Sequence, residues 1–143
     1  MAIRVVRLGS PRGAGEGLRL GTVRRPPRGV PKADHARLDF YDLWLPELAP
    51  SGELVSWAMA EELTGARWRT FERRYRREMA QPEAQRLLAL LAALSAETSF
   101  AVGCYCPDPS RCHRSVLAAL LRDAGAEVEL VAGEGGGGDD DGG

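Results

Sequence analysis

All three cysteines of the chain lie in one fourteen-residue stretch, CYCPDPSRCHRSVL at positions 104–117, together with one of its two histidines. Thiols and an imidazole ligate soft metal ions, and they also act as nucleophile and base in covalent catalysis. Cys104, Cys106, Cys112 and His113 are therefore the side chains from which a chemical function is most readily built.

A metal site is one alternative. The four side chains supply the atoms of a tetrahedral zinc site, but the spacing C-x-C-x5-C-H is not a standard zinc motif. If Cys112 and His113 both lie in a helix, they point about 100° apart, which makes joint ligation awkward. We therefore expect no cofactor, and zinc remains the weaker alternative.

Nucleophilic catalysis is the second alternative, with Cys104 or Cys106 as the nucleophile and His113 as the general acid or base. The phosphatase loop C-x5-R-[ST] does not fit this stretch. The sixth residue after Cys106 is Cys112, with Arg111 one position too early, and the sixth residue after Cys104 is Ser110.

Anion recognition is the third alternative. Arg111, His113, Arg114 and Ser115, with Cys112 among them, stand near the predicted start of a helix, where backbone N–H groups and the helix dipole favour a phosphate. A purely structural interpretation also stays open. Free cysteine is among the most buried residue types, and a histidine in the core can form hydrogen bonds to the backbone.

The elements around this stretch predict where it lies. The apolar run SFAVGCYC (99–106) is typical of a buried parallel strand. Asp108 and Pro109 predict the cap and first turn of a helix over 109–124, with His113 on its apolar face and Arg111 and Arg114 at its flanks. The strand EVELV (127–131) follows. In such a sheet, ligands bind at the carboxyl ends of the strands.

Upstream, apolar patterns predict strands at 2–8 and 18–25 and helices after Ser51, over 67–79 and from Pro82. The helix from Pro82 is expected to bury Leu87, Leu90, Leu91 and Leu94. Trp44 and Trp68 are expected in the core and His35 at the surface. This order predicts a single α/β domain over residues 1–132. The Gly- and Asp-rich tail at 133–143 is expected to be disordered.

Composition narrows the function classes. The chain has 143 residues, a formal net charge of −1, and 44% hydrophobic residues. It has no apolar run long enough to span a membrane and no signal peptide, so we expect a cytoplasmic protein with reduced thiols. The arginines of helix 67–79 indicate either a solvated face or a basic surface for nucleic acid or an acidic partner.

Four segments together resemble one family. CYCPDPSRCHRSVLAALL resembles the C-terminal motif of the domain-of-unknown-function 488 family (the YeaO-like proteins), in which a Cys-His-Arg triplet opens a helix. PPRGVPKAD resembles its Pro-Arg-Gly turn with a following lysine, here Arg28 and Lys32. LWLPELAPSGEL resembles its tryptophan and Ala-Pro-Ser segment. WRTFERRYRREM resembles its Trp-x-x-Phe-x-x-Arg-Tyr helix, here with Arg74 and Tyr75. The motifs keep their order over residues 3–131.

The resemblance implies a Rossmann-like or flavodoxin-like domain with a mostly parallel sheet flanked by helices and no settled activity, suspected of nucleotide- or nucleic-acid-related work. It also implies that Arg28, Arg74, Tyr75, His113 and Arg114 converge on one pocket, where clustered arginines favour phosphate. The chain departs from the family at TVRRPPRG, which lacks an acid and a tryptophan. Its extra cysteines allow a metal or redox role peculiar to this branch.

These observations lead to one leading hypothesis and two alternatives. The leading hypothesis is a domain that binds a phosphorylated ligand, a nucleotide or a nucleic-acid end, around residues 104–115, with hydrolase- or transferase-type activity. The alternatives are a non-catalytic adaptor that uses the Arg-rich helix and a zinc-stabilised Cys/His variant. The sequence does not specify the oligomeric state.

Overall fold

Five strands and four α-helices make up the fold in a computed structural model that describes residues 2–106 and 112–131. The strands are β1 (Ala2–Arg7), β2 (Leu18–Gly21), β3 (Leu43–Trp44), β4 (Phe100–Cys104) and β5 (Glu127–Leu130). The helices are α1 (Gly52–Met59), α2 (Gly65–Met79), α3 (Pro82–Ser95) and α4 (His113–Asp123). Short 3-10 turns occupy Lys32–Asp34 and Pro46–Leu48.

The strands form one sheet in the order β3-β2-β4-β1-β5, and every neighbouring pair is parallel. All five residues of β4 are buried, so both faces of the sheet are covered at its centre. This confirms the predicted α/β class and is consistent with a Rossmann-like or flavodoxin-like domain. Because the strands are parallel, β2 and β4 end side by side, with Gly21 paired to Gly103.

The ends of the elements around the cysteines differ from the prediction. Strand β4 stops at Cys104 rather than at Cys106. Helix α4 begins at His113 because Cys112 has an extended backbone, with φ −130° and ψ 149°. The predicted Asp108–Pro109 cap, together with Arg111, lies outside the described residues, as does the tail at 133–143.

The buried stripe of α3 is rotated by one position from the predicted one. Leu88 and Leu91 are buried, whereas Leu90 is 52% exposed and Leu94 is 41% exposed. Leu91 is buried as predicted and Leu87 packs against the core, but Leu90 and Leu94 were predicted wrongly because adjacent leucine pairs in RLLALLAAL leave the helical phase ambiguous. Small residues at Ala84, Ala92 and Ser95 complete the face that packs on the core.

Two aromatic positions outside the helices were also predicted wrongly. His35 is buried rather than at the surface, with its Nε2 atom 3.1 Å from the carbonyl oxygen of Val30. Trp44 is 44% exposed because it lies on the two-residue edge strand β3, although its indole N–H donates to the carbonyl oxygen of Val23 at 2.7 Å. Trp68 packs against the core as expected.

Helices α1 and α2 are joined at their ends through Ser51. Its hydroxyl accepts a hydrogen bond from the Leu54 N–H, so Ser51 is the predicted N-cap. The Ser51 N–H and hydroxyl both donate to the carboxylate of Glu78 on α2. On α2, Phe71, Tyr75 and Met79 form the buried face.

Within the described residues, no helix combines the length and apolar character needed to cross a bilayer.

Candidate functional site

The adjoining ends of β2 and β4 provide the framework of the site. The Thr22 N–H and hydroxyl both donate to the carbonyl oxygen of Gly103, at 3.0 and 2.9 Å. Gly103 has no room for a side chain, since a Cβ there would stand 2.5 Å from the carbonyl oxygen of Val6. The two hydrogen bonds to β4 fix Thr22, and its carbonyl oxygen is the partner of His113 on helix α4.

His113 opens α4 and is anchored by that carbonyl. It is 9% exposed, and its Nε2 atom lies 2.7 Å from the carbonyl oxygen of Thr22. A carbonyl only accepts, so Nε2 carries the proton and Nδ1 presents a lone pair in the neutral ring. Burial lowers the pKa of His113 to about 4; the Thr22 bond opposes this shift and the charge of Arg114 adds to it. The ring is therefore neutral at neutral pH.

Two sulfur atoms lie beside the free Nδ1 atom of His113. The Cys112 Sγ atom is 4.0 Å from Nδ1 and is in contact with the Sγ atom of Cys104. The three potential ligand atoms all lie within 4.8 Å of one another, and we call Cys104, Cys112 and His113 the thiol–imidazole cluster. The Cα atoms of the two cysteines are 8.0 Å apart, beyond the roughly 4.4–6.8 Å of disulfides. The backbone separation of the pair therefore fits two converging thiols rather than a disulfide.

The cluster forms part of the wall of a cavity of about 470 Å³, which we call the cleft. Most of its other walls are apolar and come from the segment after β2, from α1 and α2, and from the loops next to these helices. They are Val23, Pro50, Val55, Ala58, Met59, Leu63 and Phe71. Tyr105 and the half-buried Cys106 line it next to β4. Two arginines, Arg24 and Arg25, supply its positive charge.

The two arginines differ in how their guanidinium groups are used. Arg24 donates to the carbonyl oxygens of Pro46, Ala49 and Pro50, so it mainly fastens the loop before α1. Arg25 is exposed, and its guanidinium makes no hydrogen bond or ion pair with the described residues. The Tyr105 hydroxyl donates to the Arg25 carbonyl at 2.9 Å, which holds this residue at the cleft.

Of the residues predicted for the site, Cys104, Cys106, Cys112 and His113 meet at the cleft. Tyr75 lies behind it: its hydroxyl donates to the Leu48 carbonyl at 2.7 Å, and its ring meets His113 edge-on with centroids 5.5 Å apart. Burial, and secondarily the charge of Glu78, raises the pKa of Tyr75. Tyr75 is therefore a buried support for the imidazole.

Four of the predicted basic residues do not line the cleft in the part of the chain that the structure describes. Arg28 and Lys32 are exposed on the loop before β3, and the Arg74 guanidinium carbon lies 5.2 Å from the centre of the Trp57 ring. Arg114 is 1% exposed, so its predicted place on a helix flank was wrong. The described cleft wall contains none of the four.

Ser115 has a local role at the start of α4, where its hydroxyl donates to the Cys112 carbonyl at 2.9 Å. On α2, Arg69, Arg73 and Arg77 are exposed at intervals of four residues, on the side opposite the buried face. These three arginines do not line the cleft, so the adaptor hypothesis stays a prediction that concerns a separate surface.

Thr22, Arg24, Arg25 and Tyr105 are site residues that the sequence reasoning did not single out. Three of them stand in TVRR, the segment that was noted only as a departure from the family pattern. Thr22 acts through its backbone carbonyl, which no residue-type pattern reveals. The arginine pair had a signal: charged residues directly after a buried strand stand at the edge where ligands bind.

The chain matches, over residues 3–125, a family model described as the active DUF488-N3 subclade. The match covers most of the chain, and it confirms the resemblance drawn from the four motifs. Comparison with curated proteins and with solved structures gives no significant match.

Proposed function

We propose that this chain, which belongs to the active DUF488-N3 subclade of the DUF488 family, binds a small anionic ligand in the cleft and transforms it at the thiol–imidazole cluster. One observation supports this most strongly: Cys104, Cys112 and His113 converge on the wall of a cavity of about 470 Å³. Ligand sites commonly span about 300–1,000 Å³ and combine apolar walls with a few convergent polar groups.

The walls favour a ligand with two parts. Side chains such as Val55, Met59 and Phe71 suit an apolar, planar body. The exposed guanidinium of Arg25 suits a phosphate or another oxyanion, because arginine presents several N–H donors in a fixed plane. The ligand is therefore still expected to be phosphorylated, with its anion at Arg25 rather than at Arg28 and Arg114.

The cluster favours a hydrolytic or group-transfer reaction. His113 presents a lone pair at Nδ1, and the thiols of Cys104 and Cys112 are the other reactive groups in reach of it. The description of the subclade as active agrees with a catalytic role. The cleft wall also contains no Ser, Thr, Asp or Glu side chain among the described residues.

Phenylphosphonate tests ligand binding, since it joins an aromatic ring to a non-hydrolysable oxyanion. We expect calorimetric titration to show binding that Arg25→Gln weakens about tenfold, the effect of one charge-assisted hydrogen bond. Arg28→Gln is the matched control, because Arg28 is exposed on the same loop and lies outside the cleft. Equal affinity for both variants, or no binding by the unaltered chain, would contradict the ligand assignment.

Turnover is tested separately with aryl phosphates and nucleoside monophosphates, with products measured by mass spectrometry. We expect Cys112→Ala to abolish product formation and to keep affinity for phenylphosphonate, since Cys112 belongs to the thiol–imidazole cluster and not to the anion site at Arg25. Far-UV circular dichroism checks that the variant folds. Unchanged turnover in Cys112→Ala would place the reaction elsewhere.

A further inference from the structure

We infer that the thiol–imidazole cluster holds one zinc ion, with the Sγ atoms of Cys104 and Cys112 and the Nδ1 atom of His113 as ligands and a fourth position open to the cleft. The inference deepens the proposed function by naming a cofactor at the same site. Metal binding itself requires only the cluster, so it is testable without the cleft ligand.

The two cysteines approach each other as ligands of one ion do. Their sulfur atoms meet, yet their Cα atoms are 8.0 Å apart, and cysteines more than about 7 Å apart cannot be joined without backbone movement. Two thiolates on one zinc ion, each with a bond of about 2.3 Å, converge from more widely separated backbones. The observed backbone separation therefore suits a shared ion better than a covalent link.

The imidazole is oriented as a ligand. Metal-binding histidines generally donate their other ring N–H to a carbonyl or carboxylate, which fixes the tautomer and aims the lone pair. In this chain the Nε2–H of His113 donates to the Thr22 carbonyl at 2.7 Å. The edge contact with Tyr75 restrains the ring from another side. Nδ1 is left facing Cys112 at 4.0 Å.

Helical spacing does not keep the side chains of Cys112 and His113 apart, because Cys112 is not part of the helix. Two adjacent residues inside a helix point about 100° apart. Cys112, however, is the N-cap of α4, and its φ of −130° and ψ of 149° belong to extended chain. Its side chain is therefore free to turn towards His113, and the structure shows the two side chains converging.

The donor set selects the metal. Two sulfurs and one imidazole nitrogen suit zinc, whereas magnesium and calcium require oxygen ligands. Cys104 is 2% exposed and Cys112 is 5% exposed, so two thiolates there need a balancing cation, which a dication supplies. Three protein ligands next to a ligand-sized cavity are the pattern of catalytic zinc sites, in which water or substrate occupies the fourth position.

Cobalt(II) is the probe, because it replaces zinc and absorbs light. We expect the reduced, metal-free full chain to bind one Co²⁺, with a thiolate charge-transfer band and the intense d–d bands of a tetrahedral site, and zinc to displace it. Cys104→Ala and Cys112→Ala should each lower the charge-transfer intensity per bound metal about twofold and weaken affinity at least tenfold. His113→Gln should keep the charge-transfer band and weaken affinity.

Cys106→Ala is the matched control, since Cys106 lines the cleft but is not in the cluster. It should bind Co²⁺ as the unaltered chain does, and its spectrum remains informative if another variant does not fold. A wild-type chain that binds no Co²⁺, or a Cys106→Ala variant that loses the bands, would overturn the inference. A Cys104–Cys112 disulfide that persists in protein purified with reductant and zinc would do the same.

The zinc inference and the proposed function fail in different ways. If Co²⁺ does not bind while Arg25→Gln still weakens phenylphosphonate binding, the zinc site is wrong and the ligand site stands. If Co²⁺ binds and phenylphosphonate does not, the metal site stands and the ligand assignment is wrong.

Discussion

At the scale of single residues, His113 shows how a neighbouring backbone group decides what a side chain does. The Thr22 carbonyl takes the Nε2–H, so the lone pair of Nδ1 is the part of the ring left for chemistry. Tyr75 then limits the ring to one orientation. A histidine on an apolar helix face is commonly a core residue, and here the same burial positions it against two thiols.

Glu16 and Arg19 form a buried ion pair outside the cleft. Arg19 is 0% exposed and donates from Nε and Nη2 to the Glu16 carboxylate at 2.8 and 3.0 Å. Burial by itself raises the pKa of Glu16, but the bonds and charge of Arg19, with help from Gly13 and Arg12, hold it below its usual 4.5. The pair anchors the loop between β1 and β2 on the strand that leads to Thr22.

We predict that Glu16→Gln destabilises the fold at pH 7 by about 3 kcal/mol, because it leaves the buried guanidinium without its counter-charge. A carboxylate with a lowered pKa in the folded state stabilises the fold above pH 4.5, and this contribution is lost as the pH falls through the folded pKa. Urea unfolding of both chains should therefore show a difference that is constant at neutral pH and shrinks below pH 4.5.

Glu97→Gln is the control for that series, because Glu97 is exposed and has no salt bridge with the described residues. Its effect should stay small at every pH. A Glu16→Gln difference that did not change between pH 7 and pH 3 would show that the charge of Glu16 is not the source of the stabilisation.

Only some of the site residues could be identified from the sequence. Clustering of thiols with His113 was visible because residue type and spacing carry that information. The position of Arg114 was not, because a helical wheel assigns a direction and not the depth of the surroundings. Thr22 contributes its backbone carbonyl, and the type of side chain at this position does not indicate that role. Cys112 was misjudged because its extended backbone falls one residue before the helix.

At the scale of elements, strong apolar patterns and clear caps predicted α1, α2 and α3, whereas α4 begins at His113 rather than at Pro109. Helix α2 has its aromatic residues at spacings of three and four, and Ser51 and Pro82 mark where α1 and α3 begin. The side of α3 that faces the core was predicted one position out of phase, because leucines lie on two adjacent faces of this helix. Strand β2 was predicted over 18–25 and ends at Gly21, because the alternation in TVRR is too weak to indicate a strand. Strand β4 was overextended because Tyr105 and Cys106 continue the apolar run past its last paired position.

The phase of α3 can be tested by matched truncations. We predict that Leu88→Ala costs about 2–5 kcal/mol of unfolding free energy, since Leu88 is 3% exposed and its removal leaves a cavity. Leu90→Ala removes the same atoms from a residue that is 52% exposed, and it should change the free energy by less than about 0.5 kcal/mol. Urea unfolding at pH 7 measures both, and equal losses would support the phase expected from sequence.

At the scale of the whole molecule, parallel topology explains why distant segments share one site. Strands β2 and β4 are separated by about 80 residues of chain, yet their carboxyl ends adjoin because both run in the same direction. Thr22 and Arg25 therefore meet Cys104 and His113. The class of fold followed from the order of strands and helices, whereas the strand order did not, since β4 inserts between β1 and β2.

A zinc ion in the cluster would also stabilise the whole domain, because its ligands come from β4, the loop after it and α4. A ligand that binds only the folded chain stabilises it by about 2.7 kcal/mol at a free concentration 100 times its Kd. For a chain of this length, we predict that Tm rises by on the order of 10 °C when reduced, metal-free protein receives zinc. Cys106→Ala should show the same rise in scanning calorimetry, and Cys104→Ala should show little. If Tm rose equally in both variants, zinc would be binding outside the cluster, and if it did not rise in the unaltered chain, the cluster would not be holding the metal.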